Sequence, residues 1–264
     1  MKIGKIITDI NLAKEVPRQI IDKIRQEVHE HRLLIFKNQE LITGERQVEI
    51  SKWFGELEST FYKHPKSPHP DVFRVSNDEQ EGCTNVGRTG WHIDGSFMKE
   101  PFKFSLYYMA SVPKQGDTAF VALTELIESL SEAVRARWER LWMVSDRRMQ
   151  IVHPLIYRHP VTKYPTLCFH LGMTDAFLWD ANTEQERLTD WPETTQILKE
   201  IHKEIVKDNR SLIYSHKWED GDFIISDNLA VGHEATPETQ YPKSDVGLRI
   251  LHRTTIRGTN KPVK

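Results

Sequence analysis

Between Asn11 and His31 the apolar residues Leu12, Val16, Ile20, Ile21, Ile24 and Val28 recur at three- and four-residue steps, which predicts an amphipathic helix. Arg32-Leu33-Leu34-Ile35-Phe36 then predicts a buried strand, and Thr43 to Phe54 a second helix packing through Ile50, Trp53 and Phe54. The proline-spaced stretch His64 to Pro70 is a loop, Asp71 to Ser76 a short strand, and Glu79 to Gly90 a polar loop that delivers Trp91. Phe104 to Val112 and Thr118 to Leu123 have strand composition, and the turn residues Lys114-Gln115-Gly116-Asp117 between them predict a hairpin. Helical spacing returns in Thr124 to Leu141 and in Trp191 to Lys207. Asp222 to Ser226 and Leu248 to Ile256 close the chain as strands, bounded by Gly221, Gly247 and Gly258.

Many short strands, with helices at the start and as insertions, fit a mainly β fold with α elements: a double-stranded β-helix, or jelly roll, with flanking and inserted helices. No internal repeat or low-complexity tract appears, and one domain over 1–264 is expected. Hydrophobic residues at 38% and seven Trp suffice for an ordinary core.

Charge narrows the partners. Lys and Arg number 36 against 38 Asp and Glu, so no global field points to nucleic acid or an anionic membrane, and anion recognition must be local. Cys83 and Cys168 are far apart, without C-x-x-C spacing, which suits a reducing, cytoplasmic setting and argues against structural zinc. Neither a leader peptide nor an apolar membrane span is evident.

His92 and Asp94 stand two residues apart, so on a strand both side chains face one way. With His233 they make two imidazoles and a carboxylate, a set that occupies one face of iron(II) and leaves the other open to small ligands. Taken alone, a His-x-Asp tripeptide arises readily by chance, and His233 reads equally as a loop residue. Arg249, Leu251 and Arg253 alternate onto one strand face, where two inward arginines are costly unless anions meet them. His153, His159, His170, His202 and His216 have no partner at ligand spacing, and Arg147-Arg148 reads as a solvated pair.

These segments resemble the taurine dioxygenase family of Fe(II)- and 2-oxoglutarate-dependent oxygenases, from about residue 30 to Gly258. The resemblance is carried by Trp91-His92-Ile93-Asp94-Gly95-Ser96-Phe97, Pro113 through Gly116-Asp117-Thr118, Asp227-Asn228 with His233, and Arg249 to Arg253. It implies His92, Asp94 and His233 as iron ligands, and Arg249 with Thr118 as the clamp on the distal carboxylate of 2-oxoglutarate. A guanidinium suits that clamp because it is a rigid two-pronged donor. It further implies His64, Asn85 and Arg253 as substrate contacts and O2 as the oxidant, with succinate and CO2 released. A homo-oligomer, dimer or tetramer, follows the family habit. The segment His64-Pro65-Lys66-Ser67 departs from the taurine-oxidising pattern, which has tyrosine at the position of Ser67.

The implied reaction is oxidation, by default hydroxylation, of a small anion such as an aminosulfonate, an amino acid derivative or an aryloxy acid. Retention of Asp94 argues against halogenation, which needs that ligand position vacant. A biosynthetic tailoring oxygenase that desaturates or cleaves an amino acid derivative is the alternative. A non-catalytic jelly-roll ligand-binding protein is the alternative from another class.

Overall fold

The computed structural model describes residues 3–58, 63–147 and 149–264. The first half contains β1 (Lys5–Ile7), α1 (Arg18–His31), β2 (Leu33–Phe36), α2 (Gly44–Lys52), β3 (Phe73–Ser76), β4 (Phe104–Ser111), β5 (Thr118–Ala122), α3 (Leu123–Glu128) and α4 (Glu132–Trp138). There follow β6 (Leu141–Ser145), β7 (Val152–Pro154), β8 (Ile156–Arg158), β9 (Pro165–Leu167), β10 (Thr174–Trp179) and β11 (Arg187–Leu188). The chain closes with α5 (Trp191–Arg210), β12 (Ile213–His216), β13 (Phe223–Asp227), β14 (Val231–Ala235), α6 (Lys243–Val246) and β15 (Ile250–Thr255).

Strands dominate. A six-stranded sheet runs β1-β2-β13-β4-β15-β3, and a three-stranded sheet runs β12-β5-β14. Leu33 and Ile35 of β2, Tyr107 and Met109 of β4, Ile224 of β13 and Leu251 of β15 pack with Phe120 and Ala122 of β5 and Val231 of β14, so the two sheets face each other across one core. Alternation sends Leu34, Phe36, Leu106, Phe223 and Ile225 to the opposite face, where they meet Ile24 and Val28 of α1 and Ile50 of α2. A third cluster joins Trp138, Ile197, Ile201 and Ile205 to Trp91, Ile93 and Val121, seating α4 and α5 beneath the segment that carries His92 and Asp94.

Several predicted elements change in the structure. The first helix begins only at Arg18, because a residue before proline is steered from α geometry and Val16 precedes Pro17, whose ψ is 142°. The helix over Thr124 to Leu141 is two helices, broken where the Ser131 hydroxyl accepts the Val134 N–H at 3.3 Å and caps α4. The predicted hairpin does not form: β4 pairs with β13 and β15, whereas β5 pairs with β12 and β14, so the 112–117 connection crosses between sheets. Residues 61 and 62, and Arg148, lie outside the described residues. Among the described residues no helix is long and apolar enough to cross a membrane.

Candidate active site

His92 lies in the connection between β3 and β4, outside any regular strand. Two main-chain bonds tie it to β14: His92 N donates to His233 O at 3.1 Å, and His233 N donates to His92 O at 2.8 Å. Asp94 is placed by the side chain of Asn228, which accepts the Asp94 N–H at 2.8 Å and donates to the Asp94 carbonyl at 2.9 Å. Gly95 makes the turn after it with φ +75°, where an added Cβ would meet the Phe102 ring at 3.0 Å. The carboxylate is then aimed by two donors, Ser105 Oγ to Oδ2 and Arg253 Nη1 to Oδ1, both at 2.7 Å.

The ligand atoms of His92, Asp94 and His233 all lie within 4.8 Å of one another, and all three residues are buried. His92 Nε2 is 3.9 Å from Asp94 Oδ1, and His233 Nε2 is 3.7 Å from Asp94 Oδ2. Those separations exceed hydrogen bonding and match donors gathered round one ion. The tautomer agrees: His92 Nδ1 is 2.7 Å from the Gly90 carbonyl, which only accepts, so Nδ1 carries the proton and Nε2 keeps its lone pair for a metal. The donor set therefore fits iron(II).

Burial pushes the His92 and His233 imidazoles below their ordinary pKa, His233 to about 3, so both are neutral, the form that can coordinate a metal. Burial is the largest single effect on Asp94 and raises it, but the groups around the carboxylate, the Arg253 guanidinium foremost and the Ser105 hydroxyl among them, together outweigh burial and hold the carboxyl well below the usual range.

Arg249 lies just before β15 and is 2% exposed. No carboxylate among the described residues pairs with it, its Nε has no acceptor, and burial alone lowers its pKa to about 10. A buried guanidinium without a counter-ion is costly unless an anion arrives, and a dicarboxylate co-substrate meets that need. Thr118 opens β5; its hydroxyl accepts the Trp218 indole N–H at 3.0 Å and still has its own proton to donate.

A cavity of about 570 Å³ opens on His92 and Asp94. Arg253 lines it, as Phe73, Ile93, Phe97, Met98, Phe102, Met149 and Met173 do. His64 and Asn85 do not. His64 sits half-buried in its loop with Nε2 3.1 Å from the Glu79 carbonyl, and Asn85 is exposed with φ 58°, its N–H bonded to Gln240 Oε1.

Two residues that spacing passed over also line the cavity. His170 stacks on His92, ring centroids 4.5 Å apart and planes 18° apart, and Arg147 stands over the Phe97 ring at 5.8 Å. Only the bridge between His92 and His170 brings those rings together, and no spacing rule encodes it. His159 and His216 likewise have partners, Asp227 and Asp222.

The profile of the taurine catabolism dioxygenase TauD, TfdA family matches residues 2–255. The chain belongs to the TauD/TfdA family. It is thus an Fe(II)- and 2-oxoglutarate-dependent dioxygenase. The alpha-ketoglutarate-dependent 2,4-dichlorophenoxyacetate dioxygenase of Cupriavidus pinatubonensis is 24% identical over 251 residues, spanning 86% of this chain and 86% of that one. The 3-((Z)-2-isocyanoethenyl)-1H-indole synthase of Fischerella ambigua is 23% identical over 246 residues, spanning 89% and 87%. Among solved structures, a taurine dioxygenase from Burkholderia xenovorans superposes with TM-score 0.78 at 25% identity, covering 99% of this TauD/TfdA chain and 88% of its own.

Proposed function

We propose that His92, Asp94 and His233 hold the iron, that Arg249 and Thr118 take the distal carboxylate of 2-oxoglutarate, and that Arg253 faces the anionic group of the substrate. Residues 1–264 act as one catalytic domain, and the two facing sheets form a double-stranded β-helix. The free thiols Cys83 and Cys168 support a cytoplasmic setting.

The observation that carries this reading is the pairing of two needs in one core: a buried imidazole–carboxylate set at ligand spacing, and a buried arginine with no counter-ion among the described residues. With iron and 2-oxoglutarate bound, O2 supplies the oxidising chemistry, and the co-substrate leaves as succinate and CO2 while a substrate C–H bond is oxidised. The chain's own residues bind, orient and exclude water. Ser105 and Arg253 fix the plane of the Asp94 carboxylate, and Gly90 fixes the His92 tautomer.

The substrate is an anion with a substantial apolar body. Phe73, Phe97, Phe102, Met98, Met149 and Met173 offer little to a two-carbon aminosulfonate and much to an aryl or alkyl group. Neither His64 nor Asn85 lines the cavity, which weighs against the taurine pattern of contacts. Hydroxylation is the default outcome. The tailoring alternative draws support from the Fischerella relative, whose indole-bearing product is also bulky and apolar.

Succinate release from Fe(II), 2-oxoglutarate and O2 tests the reading, with phenoxyacetate, hexyl sulfate and taurine compared. An apolar-bodied anion is expected to stimulate release at least about tenfold more than taurine, about 1.4 kcal/mol. Equal or greater stimulation by taurine contradicts it.

A further inference from the structure

A second group with metal-ligand chemistry lies outside this site: His29 on α1, His159 after β8 and Asp227 at the end of β13. Its geometry is that of a hydrogen-bonded relay. His29 Nδ1 is 2.7 Å from Asp227 Oδ2, and His159 Nε2 is 3.2 Å from Asp227 Oδ1. His159 Nδ1 accepts the N–H groups of Val161 and Thr162 at 3.2 and 3.1 Å, so the proton of a neutral ring must sit on Nε2 and point at Asp227. That is the reverse of His92, whose Nδ1 donates to a carbonyl and frees Nε2.

Asp227 lies one residue before the side chain that seats Asp94. Its Oδ1 also accepts the Leu229 N–H at 3.2 Å, and its carbonyl accepts the Ala230 N–H at 3.0 Å, which closes the turn around Asn228. From that turn Asn228 makes both of its bonds to the Asp94 main chain and a third, at 2.7 Å, to the Phe102 carbonyl. We infer that His29, His159 and Asp227 are positioning residues of the metal site, holding the turn from which Asn228 fixes the Asp94 backbone. This rests on Asp94 being a metal ligand. Partners behind a metal ligand commonly change metal affinity by about 10–100-fold when removed.

Asp222 supplies the control. It too is a buried carboxylate, just before β13, held by His216 Nε2 at 2.9 Å, the Glu219 N–H at 2.8 Å and Lys37 Nζ at 2.5 Å, none of which belongs to the Asp94 segment. Anaerobic titration with Co(II), followed by the visible bands of the bound ion, compares wild type with Asp227→Asn, Asn228→Ala and Asp222→Asn, each checked by thermal melting. Asp227→Asn and Asn228→Ala are expected to weaken Co(II) binding at least about tenfold, with Asp222→Asn within twofold of wild type. Asn228→Ala removes no charge, so its loss shows that seating the Asp94 backbone governs affinity. His159→Phe, which deletes a bond to Asp227 Oδ1, is expected to weaken Co(II) binding likewise and carries the test of the inference if Asp227→Asn does not fold; wild-type affinity in it overturns the inference. Equal affinities across the variants, or equal losses in Asp222→Asn and Asn228→Ala, overturn the inference. Wild type that takes up no Co(II) overturns the metal reading itself and the positioning claim with it.

Discussion

Arg253 donates from Nη1 to Asp94 Oδ1 at 2.7 Å, so the cation assigned to the substrate rests on the carboxylate assigned to iron. An anion arriving at Arg253 therefore competes with, or shares, a contact that orients a ligand. Ser105 still holds Asp94 Oδ2 when Arg253 is lost, so Arg253→Gln should still bind iron and 2-oxoglutarate at saturating concentrations, with metal affinity weakened about tenfold. KM for the best anionic substrate should rise at least about 30-fold, or about 2 kcal/mol. Steady-state kinetics measure it, and an unchanged KM removes Arg253 from substrate binding.

Arg249 makes a prediction of opposite signs. A buried cation lacking a counter-ion costs the apo fold, so Arg249→Met should raise apo stability by about 1–3 kcal/mol. The same change should abolish the added stabilisation that 2-oxoglutarate gives the metal-loaded protein. Chemical denaturation with and without co-substrate checks both signs, and a variant still stabilised by 2-oxoglutarate contradicts the clamp.

Acid should destabilise the apo protein well above the usual carboxylate range. Burial lowers the pKa of His92 and His170, and brings His233 from 6.5 to about 3, so the unfolded chain binds protons that the folded chain refuses. Stability is thus full above pH 6.5 and is lost as pH falls from 6.5 toward 3. Metal affinity follows the folded-state values, which lie below 6.5, so protons compete little with the metal between pH 8 and 7. Melting curves and Co(II) titrations across these ranges test both statements; affinity falling steeply between pH 8 and 7 contradicts them.

Much of this site was legible because its chemistry is local in the chain. His92 and Asp94 stand two apart, and Arg249, Leu251 and Arg253 alternate, so pattern alone grouped them. The strand reading of the tripeptide was too regular, since only His92 pairs, through single bridges to His170 and His233. What pattern missed is long-range. His170 meets His92 across 78 positions of chain, and His29 meets Asp227 across 198, contacts that sheet topology creates and spacing does not record. The β4–β5 hairpin failed for a related reason: a turn-like sequence between two strands does not say whether they share a sheet.

The most direct test is anaerobic addition of Fe(II) and then 2-oxoglutarate, watching for the weak visible charge-transfer band of the chelate in wild type and in His92→Ala. A band in wild type that His92→Ala abolishes, with both proteins folded, is the predicted result. No band in folded wild type, or an undiminished band in His92→Ala, contradicts the assignment of His92, Asp94 and His233 as the iron site.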